Sequence, residues 1–144
     1  MLREIRGVQQ RSPSEVKRWF QDADFDLFFI EDRSGALHWF QLCYARDTAR
    51  ERVLEWRRGR GFGHMKVKQP RFAADRESGV LVNDGVLPYA DVMERFRQSA
   101  AGLPPHAGAF VAEKIREYAR PDRKFRRKGA VTPRWLKRLR MQAL

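Results

Sequence analysis

Phe25-Asp26-Leu27-Phe28-Phe29-Ile30-Glu31-Asp32, then Arg33-Ser34-Gly35, then Ala36-Leu37-His38-Trp39-Phe40-Gln41-Leu42-Cys43-Tyr44 is the stretch that decides the fold. Two aromatic-rich runs on either side of a short turn containing glycine signal a β-hairpin. With Gly35 as the left-handed residue of a three-residue loop, Phe28 and Ile30 share one face with Phe40 and Leu42. Leu27 and Phe29 then share the other with Trp39 and Cys43. Both faces are apolar, so the hairpin is expected at the centre of a sheet, covered on both sides.

A second hairpin follows at Arg52 to Lys68. A two-residue turn at Gly59-Arg60 sets Trp56 opposite Gly63, Leu54 opposite Met65 and Arg52 opposite Val67, an apolar face. The other face carries Arg57 opposite Phe62, Glu55 opposite His64 and Val53 opposite Lys66. This hairpin is therefore expected to be half-exposed, with its basic residues on the wet side.

Outward from the hairpins, Leu2 to Gln9 reads as a short strand. Ser12-Pro13-Ser14-Glu15 carries an N-cap serine, a proline at the first helical position and a capping-box glutamate, and so predicts a brief helix to about Gln21. Arg18-Trp19-Phe20 fits an extended strand equally well. Val80-Leu81-Val82 is a short strand entering a turn, after a polar loop at Gln69 to Gly79. Helices are expected at Pro88 to Ala101, with Val92, Met93, Phe96 and Ala100 inward, and at Pro105 to Ala119, with Phe110, Val111, Ile115 and Tyr118 inward. After a basic connector, Thr132-Pro133 opens a last helix, whose Trp135, Leu136, Leu139 and Ala143 span about 100° of arc against Arg134, Lys137, Arg138 and Arg140. Strands preceding helices predict an α+β fold: an antiparallel sheet of two hairpins plus flanking strands, covered by two C-terminal helices, with a basic amphipathic tail helix. The expected organisation is one α+β domain over residues 1–119 and a basic connector and helix over 120–144.

Composition excludes several classes. Of 144 residues, 34 are Leu, Ile, Val or Phe, enough for one packed core. Neither a membrane span nor a signal peptide is legible, so the chain is expected to be soluble and cytoplasmic. Cys43 is the single cysteine, and three histidines complete the set of soft ligands. No intrachain disulfide can form, and neither a structural metal nor a cofactor is expected.

The charge of +12 is unevenly placed. Residues 1–49 are net −1 and residues 72–119 net −2, whereas 50–71 hold 8 basic and 2 acidic residues and 120–144 hold 10 and 1. Arginine accounts for 23 of the 30 basic residues, which a compositional bias alone would explain if they were spread evenly. Like charges packed into two blocks repel, so their clustering favours an anionic partner.

Chemical candidates are few. His64 opposite Glu55 is an acid–base pair in form, but a solvated strand face gives it no pocket, and a cross-strand polar pair is the simpler reading. His38 and His106 have no partner in the local sequence. Cys43 between Leu42 and Tyr44 reads as an inert core thiol. Asp22, Asp24 and Asp26 alternate without the calcium-loop pattern and read as turn residues. Arg58-Gly59-Arg60-Gly61-Phe62-Gly63 joins two strands and lacks the Gly-Lys-Ser/Thr ending, so it is no nucleotide loop; its arginines could contact phosphates and Phe62 could stack on an unpaired base.

Trp19-Phe20, Asp26-Leu27-Phe28, Phe40-Gln41-Leu42-Cys43-Tyr44, Leu54-Glu55-Trp56-Arg57 and Gly61-Phe62-Gly63-His64 together resemble a group of small uncharacterised bacterial proteins. The resemblance spans roughly Trp19 to Tyr118. It implies a bacterial origin and carries no activity.

Two functional readings follow. In the first, a non-enzymatic basic module binds nucleic acid or another polyanion without sequence preference, through Arg57, Arg58, Arg60, Phe62, His64, Lys66 and Lys68 of the hairpin and Arg123, Lys124, Arg126, Arg127 and Lys128 of the tail. In the second, a structural protein docks Trp135, Leu136 and Leu139 onto its own sheet or onto a second copy. An enzyme is the least supported reading, because no polar constellation converges.

Overall fold

The computed structural model describes residues 1–68, 80–83 and 85–120. Seven strands form one antiparallel sheet in chain order: β1 (Arg3–Glu4), β2 (Glu15–Gln21), β3 (Phe25–Asp32), β4 (Leu37–Tyr44), β5 (Arg52–Arg57), β6 (Gly61–Lys68) and β7 (Val80–Asn83). Helices α1 (Tyr89–Ser99) and α2 (Pro105–Ala119) follow, giving an α+β fold. Val92, Met93 and Phe96 of α1 and Val111, Ile115 and Tyr118 of α2 share a core with Phe20, Phe29, Phe40, Leu42, Leu54 and Trp56. One face of the sheet thus lies beneath both helices.

The central hairpin is third and fourth of the seven strands, where its two apolar faces require it. Its turn forms as read: Gly35 has φ +87°, its N–H donates to the Asp32 carbonyl at 3.0 Å, and the Asp32 N–H donates to the Ala36 carbonyl at 3.0 Å. The faces differ from the expectation by one residue. Glu31 pairs with Leu37 but Ile30 pairs with Trp39, so His38 is an extra residue in a bulge. Beyond it Leu27 and Phe29 join Phe40 and Leu42 under the helices, while Phe28 and Ile30 join Trp39 on the opposite face. A bulge reverses the side of every later residue, and the turn sequence does not announce it.

The second hairpin is also shifted. Arg57 pairs with Gly61, Trp56 with Phe62, Leu54 with His64 and Val53 with Met65. The loop holds three residues, closed by the Arg60 N–H donating to the Arg57 carbonyl at 3.0 Å. Gly59 and Gly61 both take positive φ, +78° and +83°, so the turn draws on two glycines where the two-residue reading used one. Trp56 and Leu54 point inward as expected. Phe62 and His64, expected on the wet side, follow them under the helices at 5% and 1% exposure. Val53 and Met65 are buried on the opposite face, so the hairpin is not half-exposed.

Glu15 to Gln21 is strand, not helix. Seven residues pair with β3, Trp19 stacks on Phe28 at 5.3 Å and Phe20 on Phe29 at 5.7 Å, one pair on each face of the sheet. Such pairs contribute about 0.5–1.5 kcal/mol each beyond burial, which outweighs a local helix signal. The Ser12 hydroxyl accepts the Ser14 N–H at 3.2 Å, so the capping serine shapes a turn instead. The first strand is shorter than expected, and Gly7 at φ +86° lies beyond its end. The loop at Gln69 to Gly79 and the tail helix with Trp135, Leu136 and Leu139 lie outside the described residues.

Candidate anion-binding groove

The face away from the helices carries an open groove of about 420 Å³ that runs across β2, β3 and β4 to the β5–β6 turn. Ile30, Trp39, Lys17 and Arg57 line it. Arg11, Glu15, His38 and Arg58 complete the lining. Four cations thus face one carboxylate.

Strand alternation explains Lys17. Its neighbours Val16 and Arg18 turn to the other face, and Lys17 pairs across the ladder with Ile30, so it faces the groove. Its backbone is fixed by a side chain from the preceding loop: the Lys17 N–H donates to Gln10 Oε1 at 2.8 Å and Gln10 Nε2 donates to the Lys17 carbonyl at 2.9 Å. The residue is only 8% exposed. Among the described residues, no carboxylate lies within ion-pair distance of Lys17, Arg11 or Arg58. Burial pushes the Lys17 ammonium below its ordinary pKa, the Arg11 charge adds to the depression and Glu15 opposes it.

His38 enters the groove through the bulge, and its carbonyl accepts the Arg58 N–H at 2.9 Å, tying the arginine turn to β4. The ring is held by Asp32, whose Oδ2 lies 2.9 Å from His38 Nε2. The Asp32 carboxyl sits well below the ordinary range because the Ser34 hydroxyl, His38 and two backbone N–H groups all donate to it. Its charge is therefore held beside His38.

Arg58 and Arg60 are exposed at the tip of the turn, Arg57 is half-buried and Lys66 is exposed on β6. Lys68 takes its place in the ladder opposite Val80. Phe62 and His64, expected to contact a ligand, are instead buried under the helices. Phe62 packs on Tyr118 at 5.4 Å, and His64 stacks on Tyr44 at 5.8 Å and shares a 2.8 Å hydrogen bond with its hydroxyl. Glu55 faces Gly63, not His64. Arg123, Lys124, Arg126, Arg127 and Lys128 lie outside the described residues. Arg11, Lys17, His38 and Trp39 were not singled out by sequence, because reading residues 12–21 as a helix hides that Lys17 shares a strand face with Trp19.

Cys43, Asp22 and Asp26 are engaged within the fold. The Cys43 thiol is buried and donates to Glu51 Oε1 at 2.8 Å. Asp22 accepts the N–H groups of Asp24 and Phe25, and Asp26 accepts from the Trp19 indole at 3.0 Å and from Gln21 at 2.8 Å. Among the described residues no three His, Cys, Asp or Glu side chains are placed to hold a metal ion, and no helix is long and apolar enough to cross a membrane. The chain matches no protein-family model, no curated protein and no solved structure.

Proposed function

We propose that the protein is a non-enzymatic basic module that associates with nucleic acid through sequence-independent contacts to phosphate. The observation that carries this reading is the gathering of Arg11, Lys17, Arg57 and Arg58 around one open groove, with Arg60 on the adjoining turn. Cations clustered on one face repel one another, and a polyphosphate backbone relieves that repulsion while releasing its own counterions. The block at residues 120–144, 10 basic residues against 1 acidic, adds charge of the same sign. With Phe62 buried, stacking on bases is no part of the reading.

Equilibrium binding to single-stranded and duplex oligonucleotides of mixed sequence across a salt series tests it. Log affinity should fall linearly with log salt at about 0.9 per duplex phosphate and 0.7 per single-strand phosphate neutralised, with little dependence on sequence. Deletion of residues 120–144 should weaken binding and flatten the slope. Absence of binding at about 50 mM salt, where the screening length still exceeds about 10 Å, retires the reading.

A further inference from the structure

We propose that residues 133–144 form a helix that docks, apolar side down, on the sheet face opposite α1 and α2. The proposal concerns the chain's own architecture and stands whether or not nucleic acid is the ligand.

The first observation is burial on a face that neither helix covers. Gln41, Cys43, Val53, Gly63 and Met65 share that face across β4, β5 and β6, because they alternate with Phe40, Leu42, Leu54 and Phe62 of the helix-covered core. All five are buried, Val53 at 0% and Met65 at 1% exposure. A valine at the centre of a bare sheet face would meet water, so this patch has a cover. Ile5 and Val8 pack on the same face, but against the cluster of Trp19, Phe28, Ile30 and Trp39 on β2 to β4. The burial holds in a single chain, so the cover belongs to that chain and not to a second copy.

Of the segments outside the described residues, the C-terminal one fits best. Gln69 to Gly79 offers one large apolar side chain, Phe72, whereas Trp135, Leu136, Leu139 and Ala143 make a stripe about 100° wide, as on a helix that packs against a core. Twelve helical residues run about 18 Å, the breadth of four strands about 4.8 Å apart. Charge is complementary as well. Glu51 accepts from the Cys43 thiol and Glu55 lies next to Val53 on the patch side, while residues 120–144 hold 10 basic residues against 1 acidic. The chain also reaches. Tyr118 at the end of α2 packs on Phe62 of β6 at 5.4 Å, and residues 120–132 extend to about 40 Å, enough to round the sheet edge beyond β7. Docked in this way, the helix turns Arg134, Lys137 and Arg138 outward and joins both basic blocks on one face.

Cys43, the single cysteine, lies in the patch and reports on its cover. The rate at which an aromatic disulfide reagent modifies it is measured in the intact native chain at low and high protein concentration. The wild-type thiol should react slowly, at a rate independent of concentration. Leu139→Ala should speed the reaction about tenfold and Leu136→Ala with Leu139→Ala about a hundredfold, one decade for each half-buried leucine, because the reagent enters when the cover opens locally. Amide exchange over α1, on the other face, should keep its wild-type rate, which sets loss of the cover apart from unfolding. Lys137→Gln with Arg138→Gln, on the polar side of the helix, should leave the thiol protected while lowering the salt slope of oligonucleotide binding, so docking and the nucleic-acid reading fail separately.

Wild-type protection in the double leucine variant overturns the proposal. So does protection that grows with protein concentration, which assigns the cover to a second copy, or protection lost in Phe72→Ala and kept in the leucine variants, which assigns it to residues 69–79.

Discussion

Lys17 and Arg18 are consecutive residues of β2 on opposite faces of the sheet, and their surroundings could hardly differ more. Arg18 donates from Nε to Glu4 Oε1 at 2.8 Å and from a second nitrogen to Glu4 Oε2 at 2.9 Å, and reaches Glu31 Oε1 at 3.4 Å. Its guanidinium also lies over the Phe20 and Phe29 rings at 5.2 and 5.8 Å. Glu31 in turn meets His106 Nε2 of α2 at 2.8 Å, so this cluster ties the helix layer to the sheet. Lys17 has no such carboxylate and sits among like charges. A matched charge belongs to the architecture. An unmatched one, held in place by Gln10, is available to something outside the chain.

The comparison can be broken most severely from the helix-covered face. Phe40→Ala should cost about 3–5 kcal/mol, because a fully buried ring stacked against Trp56 leaves a cavity between sheet and helices; denaturant unfolding would register it as a large fall in midpoint. Arg18→Met should cost about 2 kcal/mol in the same assay, since Glu31 is then left largely buried without its arginine. If Arg18→Met were neutral, the distinction between the two faces would fail.

Lys17→Met should act in the opposite direction and less strongly, raising the unfolding midpoint by about 3 °C at neutral pH without added anion. The sign follows from linkage. The folded pKa of Lys17 is depressed below the ordinary 10.5, so between those values the unfolded chain binds more protons and stability rises with pH. Below the depressed value the full penalty of burying the charge applies, and the variant escapes it. Comparing the midpoints of wild type and Lys17→Met from neutral pH to about pH 10 should show the variant's advantage shrinking as the window is crossed.

How far the molecule was legible in its sequence differs along the same division. Periodicity placed both hairpins, the α+β class and α2 over Pro105 to Ala119, because each is written in contiguous residues with punctuating glycine or proline. The registers were not legible. His38 adds one residue to β4 and the second turn takes three residues in place of two, and each of these reverses a strand's faces. The groove depends on both events. Arg57 and Arg58 stood out in the charge pattern, but Arg11 and Lys17 did not, since a lone lysine between valine and arginine carries no local signal. His106 and Glu31 are 75 residues apart, a contact that only the packing of α2 creates.

Replacing Arg11 and Arg58 together by alanine is the most direct test of the central claim, that groove cations serve a ligand and not the fold. Both are exposed, without ion pairs to described carboxylates, so unfolding free energy should stay within about 0.5 kcal/mol of the wild type. The slope of log affinity against log salt on single-stranded oligonucleotide should fall by about 1.4, two phosphate contacts' worth. Loss of stability with an unchanged slope would contradict the account and return these arginines to the architecture.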